Sequence, residues 1–228
     1  MNTVIENNNK RVINGKMQFI LQAWRLIWKF RTAYLAINGL YYSAVILAMI
    51  FVAFHPDIQQ KLLEKIRFAS HHGLLGSAAG VYTGGTVMVT IIWTFMVNLI
   101  VGSFLFLTLP SLIVPFSGLV IGMLRAIFWG LLISPVDPKI AISMIPHSLT
   151  LVLEGQAYII TMLAVYVQGK AFLWPKAMEV DNHYQGYISG LKQTASLYSL
   201  VAGILALSAI YEALEVIYVV PWLLKTHG

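Results

Sequence analysis

Residues 33–54, AYLAINGLYYSAVILAMIFVAF, carry no charge over 22 positions and end at His55-Pro56. About 20 such residues wound as a helix cross the roughly 30 Å hydrocarbon core of a bilayer. This run sets the class of the fold, because four further apolar stretches repeat it. They lie at about 86–109, 113–134, 140–167 and 196–223. The expected architecture is all-α and polytopic, with about five transmembrane helices in a membrane domain covering 33–224. The last span is long for a bilayer, so it is expected to tilt or bend.

Composition agrees with that reading. Of 228 residues, 58% are hydrophobic and only 11% charged, and the mean hydropathy is +0.76. A water-soluble domain of this size needs more charge to cover its surface, whereas an apolar exterior costs nothing in lipid. The net charge of +6 does not point to nucleic acid. Its lysines and arginines sit mostly at the ends of apolar runs, which fits topology signals and anionic lipid. Cysteine is absent, so disulfide and thiolate chemistry are excluded.

The segments between the spans divide into three kinds. Residues 1–15 read as a disordered tail, and no small-residue cleavage site follows a short apolar run, so the first span is expected to be an uncleaved anchor. Residues 16–32 read as a basic amphipathic helix. Within KMQFILQAWRLIWKFR (16–31), Gln18, Gln22, Arg25 and Lys29 form one polar stripe, and Trp24 and Trp28 lie on the apolar side. Such a helix lies among lipid headgroups; the alternative is an N-terminal extension of the first span. Residues 57–69, DIQQKLLEKIRFA, repeat the amphipathic pattern as a short surface helix. Residues 70–85 and 135–139 read as loops, and 168–194 as the main polar stretch after them.

Basic residues set the orientation. Lys10, Arg11, Lys16, Arg25, Lys29, Arg31, Lys170, Lys176 and Lys192 fall on one side, and Lys61, Lys65, Arg67, Lys139 and Lys225 on the other. Nine against five places the N-terminus in the cytoplasm and the C-terminus outside a cell membrane.

Charges inside the apolar runs are costly, at least roughly 2.5–3.5 kcal/mol each on insertion scales. Here they are Arg125, His147, Glu154, Glu212 and Glu215, with Asn98 as a neutral companion. His147 and Glu154 are two helical turns apart and share a face, as do Glu212 and Glu215. Arg125 is placed to neutralise one glutamate. Three readings stand: a cluster that carries a proton, ion or substrate; a network that fixes helix packing; or interfacial groups that reach water. Pro146 is expected to kink the fourth span. Gly118 and Gly122, at GxxxG spacing, permit close helix approach.

Enzyme signatures such as HExxH, GxSxG and a phosphate-binding glycine loop are absent, so no catalytic residue and no cofactor is expected. His55, His71 and His72 are a poor metal set without cysteine or a nearby acid cluster.

These intramembrane residues resemble the motifs of the stage II sporulation protein M family of multi-pass membrane proteins. That family typically has an Asn-containing span, an Asn-Gly-x-x-x-Gly helix, a Pro-His-Gly segment followed by glutamate and alanine, and a late glutamate before a proline. The counterparts here are Asn98 and Gly102, then Ser117-Gly118 to Gly122, then Ile145-Pro146-His147-Ser148 with Glu154 and Ala157, and last Glu215 and Pro221. Serine replaces asparagine at 117 and glycine at 148, and Glu154 lies further from the histidine than the usual turn, which marks a divergent branch. The resemblance implies a scaffold in a membrane complex, acting beside partners that remodel the envelope or peptidoglycan. The expected partners are the bilayer and other membrane proteins, a second copy included, and not nucleic acid. The alternative is a small transporter or permease subunit with a polar intramembrane path.

Overall fold

The structure, a computed structural model, describes residues 18–70 and 86–227. The expected tail at 1–15, the histidines at 71 and 72 and most of the 70–85 loop lie outside the described residues. Those described are helical, with no strand among them. In chain order the helices are α1 (18–29), α2 (Arg31–Phe54), α3 (Pro56–Ser70), α4 (Val87–Ile113), α5 (Ser117–Leu132), α6 (Pro138–Leu173) and α7 (His183–His227). A 3₁₀ turn, Pro175–Met178, lies between α6 and α7. Four of these helices, α2, α4, α6 and α7, are long and apolar enough to cross a membrane; α5 is apolar but has 16 residues.

The outward surface explains the composition. Leu35, Leu47, Val120, Ile145 and Leu207 are each more than 60% exposed, an apolar belt that a water-soluble monomer does not carry. Inside it, α2, α4, α5, α6 and α7 run back and forth between two ends. At one end, Phe30 meets Tyr166 edge-on and lies under Lys170, while Phe116 packs on Tyr166 and Trp174. The α1 helix, the 114–116 turn and the 174–182 loop therefore share this end. At the other, buried Gln59 of α3 donates to the carbonyls of Leu132 (2.9 Å) and Ser134 (2.8 Å), and Ser134 donates to Met49 O. These bonds satisfy the carbonyls that α5 leaves open at its C-terminus.

Helix α6 is the central post. In its most apolar window 61% of residues are buried, against 33% or less in the other three long helices. Residues 157–165 are buried without a break. It packs antiparallel on α7 through two glycines: a Cβ at Gly186 would strike the Ala171 carbonyl, and one at Gly190 the Gln168 side chain. Helix α5 approaches its neighbours through a small-residue face, Gly118, Gly122, Ala126 and Gly130, all buried and four apart. A Cβ at Gly118 would meet the Leu107 carbonyl, at Gly122 the Met162 thioether, and at Gly130 the Val45 carbonyl. The GxxxG pair read from the sequence is thus the start of a longer seam.

Element ends depart from the sequence reading in instructive ways. The stretch 168–194 is mostly helix, because α6 runs on to Leu173 and α7 begins at His183. Gly186 and Gly190 of α7 pack on Ala171 and Gln168 of α6 while Lys192 is exposed. Asn182 caps α7 by accepting from Gln185 N, and Asp137 caps α6 by accepting from Lys139 N and Ile140 N, the usual role of such residues. Pro110 sits inside α4 just past a π-helical stretch, Val97–Thr108. The ladder already changes register there, so the missing N–H breaks no regular α bond. The turn falls at 114–116, where Phe116 takes a left-handed φ of 68°. This is a strained conformation for an aromatic residue, held by its stacking on Tyr166 and Trp174.

Helix α1 keeps Arg25 and Lys29 exposed, as its polar stripe implies. Ala23, Leu26, Ile27 and Phe30 are buried, whereas Trp24 and Trp28 are 56% and 59% exposed. The tryptophans therefore face away from the bundle.

Candidate functional site: a polar cluster among four helices

The intramembrane polar residues converge. On α7, Glu215 is 1% exposed, and both its carboxylate oxygens have partners on α6. His147 Nδ1 is 2.9 Å from Oε1, and Thr150 donates to Oε2 at 2.7 Å. One turn away, Tyr211 donates to the Pro146 carbonyl at 2.9 Å, so an α7 hydroxyl bonds backbone beside the proline break. On the α4 side, Asn98 donates to Glu154 Oε1, and Tyr158 donates to Asn98 Oδ1 at 2.6 Å. Glu154 and Glu212 are side-chain neighbours across the α6–α7 interface. His147 and Glu154 share a face of α6; His147 meets Glu215 of α7, and Glu154 meets Asn98 of α4 as well as Glu212 of α7.

Arg125 of α5 enters differently from the expectation of an ion pair. Its guanidinium stacks over the Tyr158 ring at 3.9 Å and lies 5.7 Å from the Trp129 ring. It feels the charge of Glu154, but its Nε is buried with no hydrogen-bond partner. Cation–π contact with a desolvated ring contributes about 2 kcal/mol.

All three helices that carry hydrogen-bonded members are irregular at the cluster. The π stretch of α4 begins beside Asn98, and Ser103 donates to the Asn98 carbonyl five residues back. A second π segment, Glu215–Val219, opens at Glu215 itself, and Pro146 interrupts α6 next to His147. Such wide turns move a side chain around the helix axis and are frequent at functional sites.

Between these groups lies a cavity of about 40 Å³ lined by Tyr41, Trp129, His147, Thr150, Glu154, Tyr158 and Glu212, among others. That is room for a water or two. Glu212 Oε2 is buried without a partner at this cavity. Among the described residues, no group of three or more His, Asp or Glu side chains is arranged to hold a metal ion.

Several participants escaped the sequence reading. Tyr158 and Thr150 complete the cluster. A second network joins α2 to α6, where Tyr34 donates to Gln156 Oε1 at 2.6 Å and Gln156 donates to Asn38 (2.8 Å) and to Tyr42 (3.1 Å). The available signal was neutral polar side chains inside apolar runs, Asn38 and Gln156 above all. Attention to charge alone passes over them.

Fold and site together define a helical protein whose four longest helices are of membrane-crossing length, joined by a buried polar cluster. Comparisons with known families, curated proteins and solved structures return no match for this chain.

Proposed function

We propose that this chain is a non-enzymatic, five-span component of a larger assembly in a cell membrane, in which the polar cluster locks helices together. The carrying observation is Glu215, fully buried with both oxygens bonded to α6. A carboxylate satisfied in this way is a staple between helices, not a waiting ligand. The small cavity supports the same reading, since about 40 Å³ offers no path for a solute.

Helix α5, about 24 Å long at 1.5 Å per residue, serves as the fifth span despite its length. Its end turn is buried and hydrogen-bonded by Gln59, which is the condition for irregular backbone at membrane depth. The cytoplasmic end is the one carrying α1. Cysteine at Asn182 should then be shielded from an impermeant thiol reagent in intact cells and cysteine at Gln60 labelled; the reverse pattern would overturn the orientation. The resemblance to stage II sporulation protein M supports the scaffolding role, because Asn98, His147, Glu154 and Glu215, scattered through its motifs, meet in one cluster.

A second reading rests on Glu212, whose unpartnered oxygen faces the cavity beside Glu154. In that reading the pair relays protons. The two readings separate on Glu154→Gln. The lock predicts a lower melting temperature in detergent, falling further for Glu154→Leu. The relay predicts unchanged stability and lost proton flux in proteoliposomes. Wild-type stability in both variants would sink the lock.

A further inference from the structure

Arg125 is the charge that the lock leaves incomplete. It lies at the centre of α5, the ninth of the 16 residues in Ser117–Leu132. Its ring contacts and its attraction to Glu154 account for its charge but not for its donors. Among the described residues no hydrogen bond or ion pair engages it, and its Nε is a buried, unpartnered donor. A guanidinium has five N–H donors in a fixed fork that matches a carboxylate. Burying such donors without an acceptor is unfavourable.

The same side chain borders an open, apolar groove of about 360 Å³ between α4 and α5. Its walls are Phe106, Leu107, Ile121, Leu124 and Phe128. Phe106 (56%), Leu124 (60%) and Phe128 (41%) are exposed there. The opposite face of α5 is the buried glycine seam, so this groove is its outward side.

We infer that this groove receives a transmembrane helix of a different protein, one carrying an aspartate or glutamate at mid-membrane depth that pairs with Arg125. The inference rests on the assembly reading above and gives its partner a chemistry. Three observations select this occupant. Charge complementarity asks for a carboxylate. Depth excludes a lipid phosphate: Arg125 lies about 12 Å along α5 from either end. A second copy of this chain cannot supply the acid. Its carboxylates at that depth are Glu154, Glu212 and Glu215, and each is turned inward onto the cluster. Intramembrane charges pair with one another wherever they persist, and the groove supplies the apolar wall for the rest of the helix.

The test uses the full chain in liposomes, labelled with an acceptor dye at Lys225→Cys. The probe is a donor-labelled synthetic Leu/Ala transmembrane peptide with one central aspartate, compared by energy transfer with the same peptide carrying leucine there. The aspartate peptide should bind about tenfold more tightly. Arg125→Leu should remove that difference. Leu124→Trp, which fills the groove but spares Arg125, should weaken binding and guards against a folding defect in the first variant. Equal binding of the two peptides, or an aspartate preference that survives Arg125→Leu, would overturn the inference. So would energy transfer between two labelled copies of the chain that Leu124→Trp abolishes, since the groove would then belong to self-association. Failure here with the Glu154 stability effect intact removes the docking face alone; loss of that effect removes the reading beneath it.

Discussion

The two halves of α6 solve the same problem differently. Toward its C-terminus, residues 157–165 are buried without interruption. Apart from Thr161, which bonds its own helix at the Ala157 carbonyl, and Tyr158, they are apolar. The helix there is regular and meets α7 through glycines. Toward its N-terminus, α6 contains Pro146, which cannot donate to the helix ladder, and carries His147, Thr150 and Glu154, and its neighbours wind as π-helix where they face it. The apolar half gains from close packing alone, which needs regular surfaces. The polar half must aim a few side chains at fixed partners, and local departures from α geometry supply the aim. Lipid offers no hydrophobic drive for helices to associate, so contact area and polar partners are what remain.

The largest contrast should come from removing the staple. Glu215→Leu strands His147 and Thr150 and should cost about 3 kcal/mol in reversible unfolding in detergent, within the range for breaking a buried pair. Leu163→Ala in the apolar half leaves a void and should cost about 2 kcal/mol. A ranking in the opposite order would mean that packing, not the cluster, holds α6 to α7.

Overfilling the glycine seam tests the packing half by another route. Gly130→Ala drives a methyl group against the Val45 carbonyl and should cost about 1 kcal/mol, the low end for overpacking. Gly203→Ala, with nothing within 4 Å of its Cβ, should be neutral or slightly stabilising. Equal effects at the two sites would remove the seam from the account.

Smallest is the single hydroxyl. Tyr211→Phe removes one bond to the Pro146 carbonyl and should cost about 0.6 kcal/mol, the mean for interhelical polar contacts in membranes. Backbone amides over 140–150 should also exchange faster than those over 157–165, because the proline break weakens the ladder in the polar half.

Much of this arrangement is visible in the chain itself. Uncharged runs of bilayer length give the helices, and charges within them give most of the cluster, since burying a charge is tolerated only where something answers it. What stayed hidden depends on partners distant in sequence. Helix α7 is 45 residues long because its polar start packs through Gly186 and Gly190 against Ala171 and Gln168 of α6; the two glycines stand at GxxxG spacing, but the residues they meet lie elsewhere in the chain. The π stretch of α4 has no composition of its own. Arg125 reads as a counter-ion to glutamate, but Tyr158, one turn beyond Glu154, takes the guanidinium onto its ring. Tyr158 looked like one aromatic residue among many.

The central claim is that the polar groups hold each other. A double-mutant cycle between His147→Phe and Glu215→Met, each replacing a polar group with an apolar one of similar size, measures that directly in detergent unfolding. The account predicts a coupling energy of about 1 kcal/mol or more, with the double variant less destabilised than the sum of the single ones. Strict additivity would contradict it, for His147 and Glu215 would then contribute independently and the cluster would not be a lock.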